Sequence, residues 1–428
     1  MSTEAIAVTL LVGVFLVLLF LRVSVAVSMG IAAIVTYAYL KLPLALVVQY
    51  TVGGVNNFTF MAVPFFILGG ELINQGGIGD RLVKLADELV GWMHGGSAMV
   101  NVLASMFFGG ISGSAPADIA ALGPIEIKLM ESQGFSREYS TGLTCATAVQ
   151  GMLIPPSHNL VIYAVAAGSV SIGALFLAGL PAGIFLGVVL AVYSYIYARR
   201  RNISSGHKFN LKRAGKAFFE AFGGLMTIVI IFVGVTAGIM TATESAAVAA
   251  LWSFICAFFI YRDVPLRKYY DIATAAIKML STIMILLAIA NAFGWVVAYL
   301  RIPNKVAAAI LSLTDSKVLI LVLINLLILF LGCIMSISSI LLIITPIIVP
   351  ILNALDYNLV QFGVVMILNL GVGLLTPPVG AALYVGSAVS GLGVGKTAKA
   401  MLPFYLIMVA TLFALAFVPG ISRIFGAW

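Results

Sequence analysis

Two short stretches carry the groups best suited to binding small ions. The first, Gly109-Gly110-Ile111-Ser112-Gly113-Ser114-Ala115-Pro116-Ala117-Asp118, is a run that no continuous membrane helix would choose, so the backbone turns there. Carbonyls and amides left unpaired at membrane depth are tolerated only where protein, an ion or a water-filled cavity satisfies them. The hydroxyls of Ser112 and Ser114, with carbonyls such as that of Gly113, are the oxygen ligands a hard cation takes. Amides opening the helix that follows favour an anion. The second stretch, Gln150-Gly151-Met152-Leu153-Ile154-Pro155-Pro156-Ser157-His158-Asn159, carries two prolines that remove two amide donors and clash with the turn before them. A helix breaks there. Its first part ends near Gln150 and Gly151 in free carbonyls suited to Na⁺, and its second part begins with free amides aimed at a carboxylate.

Both devices recur. Pro43, Pro124, Pro155, Pro156 and Pro181 return as Pro265, Pro346, Pro377, Pro378 and Pro403, each 222 positions later, and Gly110, Gly151 and Ser114 match Gly332, Gly373 and Ser336 at the same offset. The second hairpin tip holds Ser336, Ser338 and Ser339, and the second break reads Gly371-Val372-Gly373-Leu374-Leu375-Thr376-Pro377-Pro378. Two related Na⁺ sites follow. The first uses Ser112, Gly113, Ser114, Gln150 and Gly151, and the second Ser336, Ser338, Gly371, Gly373 and Thr376. An anionic substrate then sits between tips and breaks, touching Ser114, Ser157, His158, Asn159, Ser339 and Thr376.

For any single serine here, close helix packing explains a small residue equally well. Recurrence of four elements at one offset is what packing alone does not require. A lone histidine such as His158 is more often hydrogen-bonded structure than a ligand contact. Asp118, in the first turn of a hairpin helix, reads as a dipole-favoured cap. Thr241-Ala242-Thr243-Glu244 has capping-box spacing, which makes Glu244 structural. Cys145, Cys256 and Cys333 lack paired spacing, so neither a disulfide framework nor a metal site is suggested.

The elements that position these residues are membrane helices. Of 428 residues, 62% are hydrophobic and 9% charged, with a mean hydropathy of +1.16, whereas soluble domains carry about 25% charged residues. Apolar runs of roughly 17–25 residues, long enough to span, recur from end to end. The first, Ala5 to Leu21, follows Glu4 instead of a basic segment and is read as a mature helix, not a signal peptide. The pattern predicts an all-α polytopic membrane protein of about ten transmembrane helices plus two re-entrant helical hairpins, arranged as an inverted repeat. The first repeat covers 1–198, with scaffold helices in 1–75, an interfacial arm at 78–93, a hairpin at 97–130, a broken helix at 140–167 and a helix at 172–198. A basic loop at 199–216 joins it to the second repeat, 217–428, with scaffold helices at 217–300, an arm at 302–314, a hairpin at 318–352, a broken helix at 358–390 and a helix at 402–420.

Basic loops stay cytoplasmic. The cluster Arg199, Arg200, Arg201, Lys208, Lys212, Arg213 and Lys216 anchors the topology, and with both termini outside, 18 basic residues, Arg22 among them, fall on the cytoplasmic side against 5 outside. Five spans per half make the repeat inverted, and in such folds substrate and ions bind near the midplane where broken helices meet.

One enzyme class competes. Gly110-Ile111-Ser112-Gly113 matches the short GxSG pattern of the rhomboid intramembrane proteases, and His158 is available as a base. The second half repeats the element without the pattern, and a protease does not require a second Pro-Pro break.

Several stretches together resemble the large membrane subunit of the TRAP (tripartite ATP-independent periplasmic) transporters, DctM type, in the ion transporter superfamily. They are Val63 to Leu72, Asn101 to Asp118, Ile154 to Ser157, Gly173 to Gly179, Thr241 to Ala250 and Thr376 to Pro378. The resemblance implies a bacterial inner-membrane protein that takes up an organic carboxylate by an elevator mechanism driven by co-transported Na⁺, with no organic cofactor. It implies two protein partners, a four-helix small membrane (Q) subunit and a periplasmic substrate-binding (P) protein. Membrane lipid surrounds the chain, and nucleic acid is no partner. Arg301, Lys305 and Lys317, on the outer side, are candidates to meet the binding protein. Dicarboxylate members usually continue with apolar residues after the first Pro-Pro, whereas His158 and Asn159 add hydrogen-bonding capacity. That is more similar to the members handling sugar acids, including sialic acid. A C4-dicarboxylate system and a self-sufficient sodium–carboxylate symporter are the alternative readings.

Overall fold

The computed structural model describes residues 3–21, 23–56, 58–203, 208–314 and 316–426. Arg22, counted above among the cytoplasmic cations, and residues 204–207 of the basic loop lie outside them. The chain is helical throughout its described length. In the first half α1 (Thr3–Phe20), α2 (Val25–Tyr39), α3 (Ala45–Val55), α4 (Ala62–Gln75) and α5 (Ile78–Val90) precede a helical pair, α6 (Gly96–Ser112) and α7 (Ala115–Ser132). Then come α8 (Arg137–Gln150), α9 (His158–Ala167) and α10 (Ile172–Arg200). The second half runs α11 (Leu211–Thr236), α12 (Ala242–Ile255), α13 (Tyr269–Tyr299), α14 (Ile302–Leu313), a pair α15 (Lys317–Gly332) and α16 (Ile337–Ala354), then α17 (Leu359–Leu374) and α18 (Ala381–Ser390). It ends with α19 (Val394–Ala400), α20 (Leu402–Phe417) and α21 (Pro419–Ser422).

Among the described residues six helices are long and apolar enough to cross a membrane, and α19 with α20 makes a seventh across a 52° bend. Seven shorter apolar helices account for much of the rest, because the hairpin limbs and broken helices are interrupted where small residues and prolines require it. Each interruption has a local cause. Gly113 ends α6 at φ 60°, a left-handed conformation that glycine adopts without a Cβ penalty, and Pro116 sits in the first turn of α7, where its missing amide costs nothing. The expected break after Gln150 spans residues 151–157, and its counterpart falls between Leu374 and Ala381. Both Pro-Pro peptide bonds, Pro155-Pro156 and Pro377-Pro378, are cis.

One helix within the 1–75 scaffold range is not marked by the apolar runs: the 40–57 stretch folds as α3 on α13. Gly54 permits the approach, since a Cβ there would stand 2.7 Å from the Asn291 side chain. Around α1, α2 and α13 a separate core forms from Leu11, Met29, Tyr37 and Val296, with Trp295 stacked on Tyr37 at 5.3 Å and on Tyr50 at 5.0 Å. The arm α5 buries Ile78, Leu82 and Leu85 against protein, α6 and α11 included. Its polar face pairs Arg81 with Asp263, Lys84 with Glu220 at 2.7 Å and Glu88 with Arg213 at 3.4 Å.

The halves interlock crosswise. Hairpin limb α7 packs on α18 of the other half, and its counterpart α16 packs on α9. Within each half the first hairpin limb packs on the first part of the broken helix, α6 on α8 and α15 on α17.

Candidate functional site

Hydrogen bonds between small polar side chains hold the first hairpin to the first broken helix. Asn101 Nδ2 donates to Thr144 Oγ1 at 2.6 Å, the Thr147 hydroxyl donates to Asn101 Oδ1 at 2.7 Å, and Ser105 donates to Thr147 at 3.3 Å. Gln150 Nε2 donates to the Val102 carbonyl at 2.6 Å. The second half uses a simpler pair: Asn369, at the position matching Thr147, donates to the Asn325 carbonyl and side-chain oxygens at 2.8 and 2.9 Å. Backbones also meet. Gly109 lies against Gly151, and Gly332 against Gly373, so closely that a Cβ at Gly109, Gly151 or Gly373 would collide.

Held in this way, both tips and both breaks open onto one cavity of about 320 Å³. It is lined by Ser114 and Ala115 from the first tip, His158 and Asn159 from the start of α9, Ser336 and Ser338 from the second tip, and Gly380 and Ala381 from the second break. Met152, Met279 and Met335 add soft apolar walls. Asn159 Nδ2 also donates to the Gly113 carbonyl at 3.2 Å, tying the break to the tip. A smaller cavity beside the first tip is lined by Ser112, Ser114, His158, Glu71 and Asn74.

Five of the residues singled out in the sequence thus converge on the larger cavity: Ser114, His158, Asn159, Ser336 and Ser338. Others line neither one. Ser339 is buried, its hydroxyl 2.6 Å from that of Ser336, and Ser157 is fully buried with a hydroxyl that has no partner among the described residues. Thr376 donates back to the Val372 carbonyl at 2.8 Å. Gln150, Gly151, Gly371 and Gly373 sit at helix contacts, Gly371 against Val149.

Asp118 corrects the sequence reading. The N-cap of α7 is Ser114, whose side chain makes no capping bond, while Asp118 is 1% exposed and neither carboxylate oxygen has a hydrogen-bond partner among the described residues. Glu126, two turns along the same helix, is equally buried and equally without a partner. Sequence reading passed over it, although an acid inside a hairpin limb is itself a signal. Glu244 behaves as read: its carboxylate accepts from the Thr241 amide at 2.8 Å, and the Thr241 hydroxyl accepts from the Glu244 amide at 3.2 Å. Lys305 is paired with Glu4 at 3.0 Å.

An all-helical membrane chain whose interrupted helices close around one shared cavity is built as a transporter. Two solved transporters share the fold: YdaH of Alcanivorax borkumensis, with a TM-score of 0.65 at 16% identity over 88% of each chain, and MtrF of Neisseria gonorrhoeae, with a TM-score of 0.58 at 14% identity over 89% of this chain and 84% of that one. Residues 12–421 match the family of the tripartite ATP-independent periplasmic transporter, DctM component, and the chain belongs to it. Similar relatives include the sialic acid TRAP transporter large permease SiaM of Vibrio cholerae, 38% identical over 87% of each chain. The C4-dicarboxylate large permease DctM of Pseudomonas aeruginosa is likewise 38% identical over 87% of each. The isethionate permease DctMQ of Oleidesulfovibrio alaskensis is 37% identical over 97% of this chain, which spans 66% of that longer protein. The chain is a permease subunit, not an enzyme, and with the family shown the protease reading falls.

Proposed function

We propose that this permease drives uptake of an organic carboxylate with co-transported Na⁺, and that its substrate is a sugar acid such as sialic acid. The observation that carries the reading is the cavity shared by both tips and both breaks, with His158 and Asn159 in its wall. Its volume of about 320 Å³ is at the lower end of small-molecule sites, roughly 300–1,000 Å³. Two neutral hydrogen-bonding side chains beside the hairpin serines suit a ligand with hydroxyls as well as a carboxylate. The helix start at His158 presents amides toward that carboxylate, and the hydroxyls and carbonyls around Ser112, Ser114, Ser336 and Ser338 supply oxygens for the ions.

The rest of the reading follows the family. The hairpins and broken helices form a transport unit that moves against α1–α4 and α11–α13, in a bacterial inner membrane with both termini on the periplasmic side. A small membrane subunit braces the fixed helices, and a periplasmic binding protein delivers the substrate. Crosswise packing of α7 on α18 and α9 on α16, together with the 222-residue offset, supports the inverted repeat. The test is uptake by the complex reconstituted in liposomes, comparing sialic acid with a four-carbon dicarboxylate under an inward Na⁺ gradient and without Na⁺. Sialic acid uptake that requires Na⁺ is expected. Preference for the dicarboxylate overturns the substrate, and uptake without Na⁺ overturns the coupling. Transport by this chain alone overturns the need for partners.

A further inference from the structure

The smaller cavity, about 30 Å³, lies between α4 and the first hairpin tip. Its polar wall is made of Glu71 and Asn74 from α4 with Ser112, Ser114 and His158. The helix and the tip are in contact: a Cβ on Gly70 would lie 3.5 Å from the Ser112 Cα and 3.8 Å from the Ser112 carbonyl oxygen. Glu71 is half-buried and its Oε2 accepts from Gln75 Nε2 at 3.1 Å, while no Lys or Arg reaches the wall. The space is large enough for a water or a small ion, since about 10–15 Å³ of such volume suffices for one water. Hard oxygens and a single formal negative charge suit a monovalent cation. Among the described residues no group of three or more His, Cys, Asp and Glu gathers here or elsewhere, which disfavours a divalent one. An anionic substrate would be repelled by Glu71.

The polar pair is not part of the repeat. At positions 222 further on, Glu71 and Asn74 become Phe293 and Val296, buried apolar residues of α13. Common packing in the two halves therefore does not explain them. We propose that Glu71 and Asn74 form, with the hydroxyls of Ser112 and Ser114, a Na⁺ position between α4 and the first hairpin, in addition to the two repeat-related sites. The position rests on the reading of Ser112 and Ser114 as ligands of co-transported Na⁺. It is complete only while the tip stands beside α4, so the ion held there reports one position of the hairpin.

The test uses the reconstituted complex, with uptake measured against Na⁺ concentration at saturating substrate. Glu71→Gln and Asn74→Ala are each expected to raise the half-saturating Na⁺ concentration, Glu71→Gln by roughly tenfold, the size of one lost charge-assisted contact. Glu71→Asp is expected to restore much of it. In purified protein, the rise in melting temperature on exchanging choline chloride for NaCl shrinks in Glu71→Gln. That readout needs no transport and covers a variant too impaired to assay. An unchanged half-saturation and an unchanged Na⁺-induced melting shift in Glu71→Gln overturn the proposal. If Ser112→Leu abolishes Na⁺-driven uptake while Glu71→Gln changes nothing, only this position is lost. If Ser112→Leu leaves Na⁺-driven uptake intact, the underlying reading fails instead.

Discussion

His158 and Asn159 enter the cavity from the first turn of α9, where the second half offers Gly380 and Ala381. Serines from both tips line the cavity, but only the first break adds polar side chains, and that asymmetry is where selectivity can be encoded. Truncation of His158 to Ala is expected to weaken apparent substrate affinity about tenfold, the size of one hydrogen bond of about 1–1.5 kcal/mol. Uptake measured against substrate concentration at saturating Na⁺ reads this directly. Unaltered affinity would return selectivity to the hairpin serines. Asn159 is less clean, because it also holds the Gly113 carbonyl. Ser114, His158 and Asn159 were legible in the sequence, since they stand beside residues that forbid a helix. Glu71, Asn74 and Met279 were not, because each lies in a regular helix and only tertiary packing turns it to the site. Asp118 shows the same limit: the first turn of a helix suggests a cap, and only folding reveals that the side chain is enclosed. Replacing Glu126 with Leu removes a buried carboxyl without a partner and should raise stability by about 1–3 kcal/mol. The melting temperature of the purified protein checks this, and a fall of similar size would mean that the carboxyl has a favourable role in the hairpin.

The breaks were legible as elements because Pro-Pro removes consecutive amides wherever it falls, whatever surrounds it. Their extent was not: the expected single broken helix at 140–167 became α8 and α9, separated by seven residues that follow the chain into the tip. The helix α3 escaped because its apolar run is short and ends in Gly53-Gly54, which reads as a turn until Asn291 is seen pressed against it. Contacts between elements are equally tight at the hairpins. A methyl group at Gly109 would be driven into the backbone of Gly151, and one at Gly373 would stand 2.7 Å from the Gly332 Cα. Gly109→Ala and Gly373→Ala should each cost about 1–3 kcal/mol through overpacking. Thermal unfolding in detergent is the measurement, with Gly215→Ala, which meets nothing within 4 Å, as a control expected to leave stability unchanged or slightly raised.

At the scale of the molecule, α13 supplies Met279 to the wall of a cavity whose other residues come from hairpins and broken helices. If those parts slide past α13, a link across the wall stops them. Cysteines placed at Met279 and Met335 and joined by a short bifunctional maleimide are expected to arrest uptake, while the unlinked double variant transports. Native thiols should not interfere, because Cys145, Cys256 and Cys333 are all buried. Undiminished uptake in the linked protein would argue for a fixed frame with local gating. The helical class was legible from composition; the crosswise contacts were not, since nothing in a one-dimensional period says which half-helix covers which hairpin.

Those crosswise contacts bear on how the protein is made. The hairpin limb α7 and the half-helix α9 leave the ribosome well before α16 and α18, on which they finally rest. Through synthesis of the remaining chain, the first half holds an enclosed acid and a broken helix whose covering partners do not yet exist. Chains of this size commonly pass through incompletely packed intermediates, and here the order of translation makes one unavoidable. The contacts of α7 with α18 and of α9 with α16 therefore form only after synthesis has reached α18, which ends at Ser390.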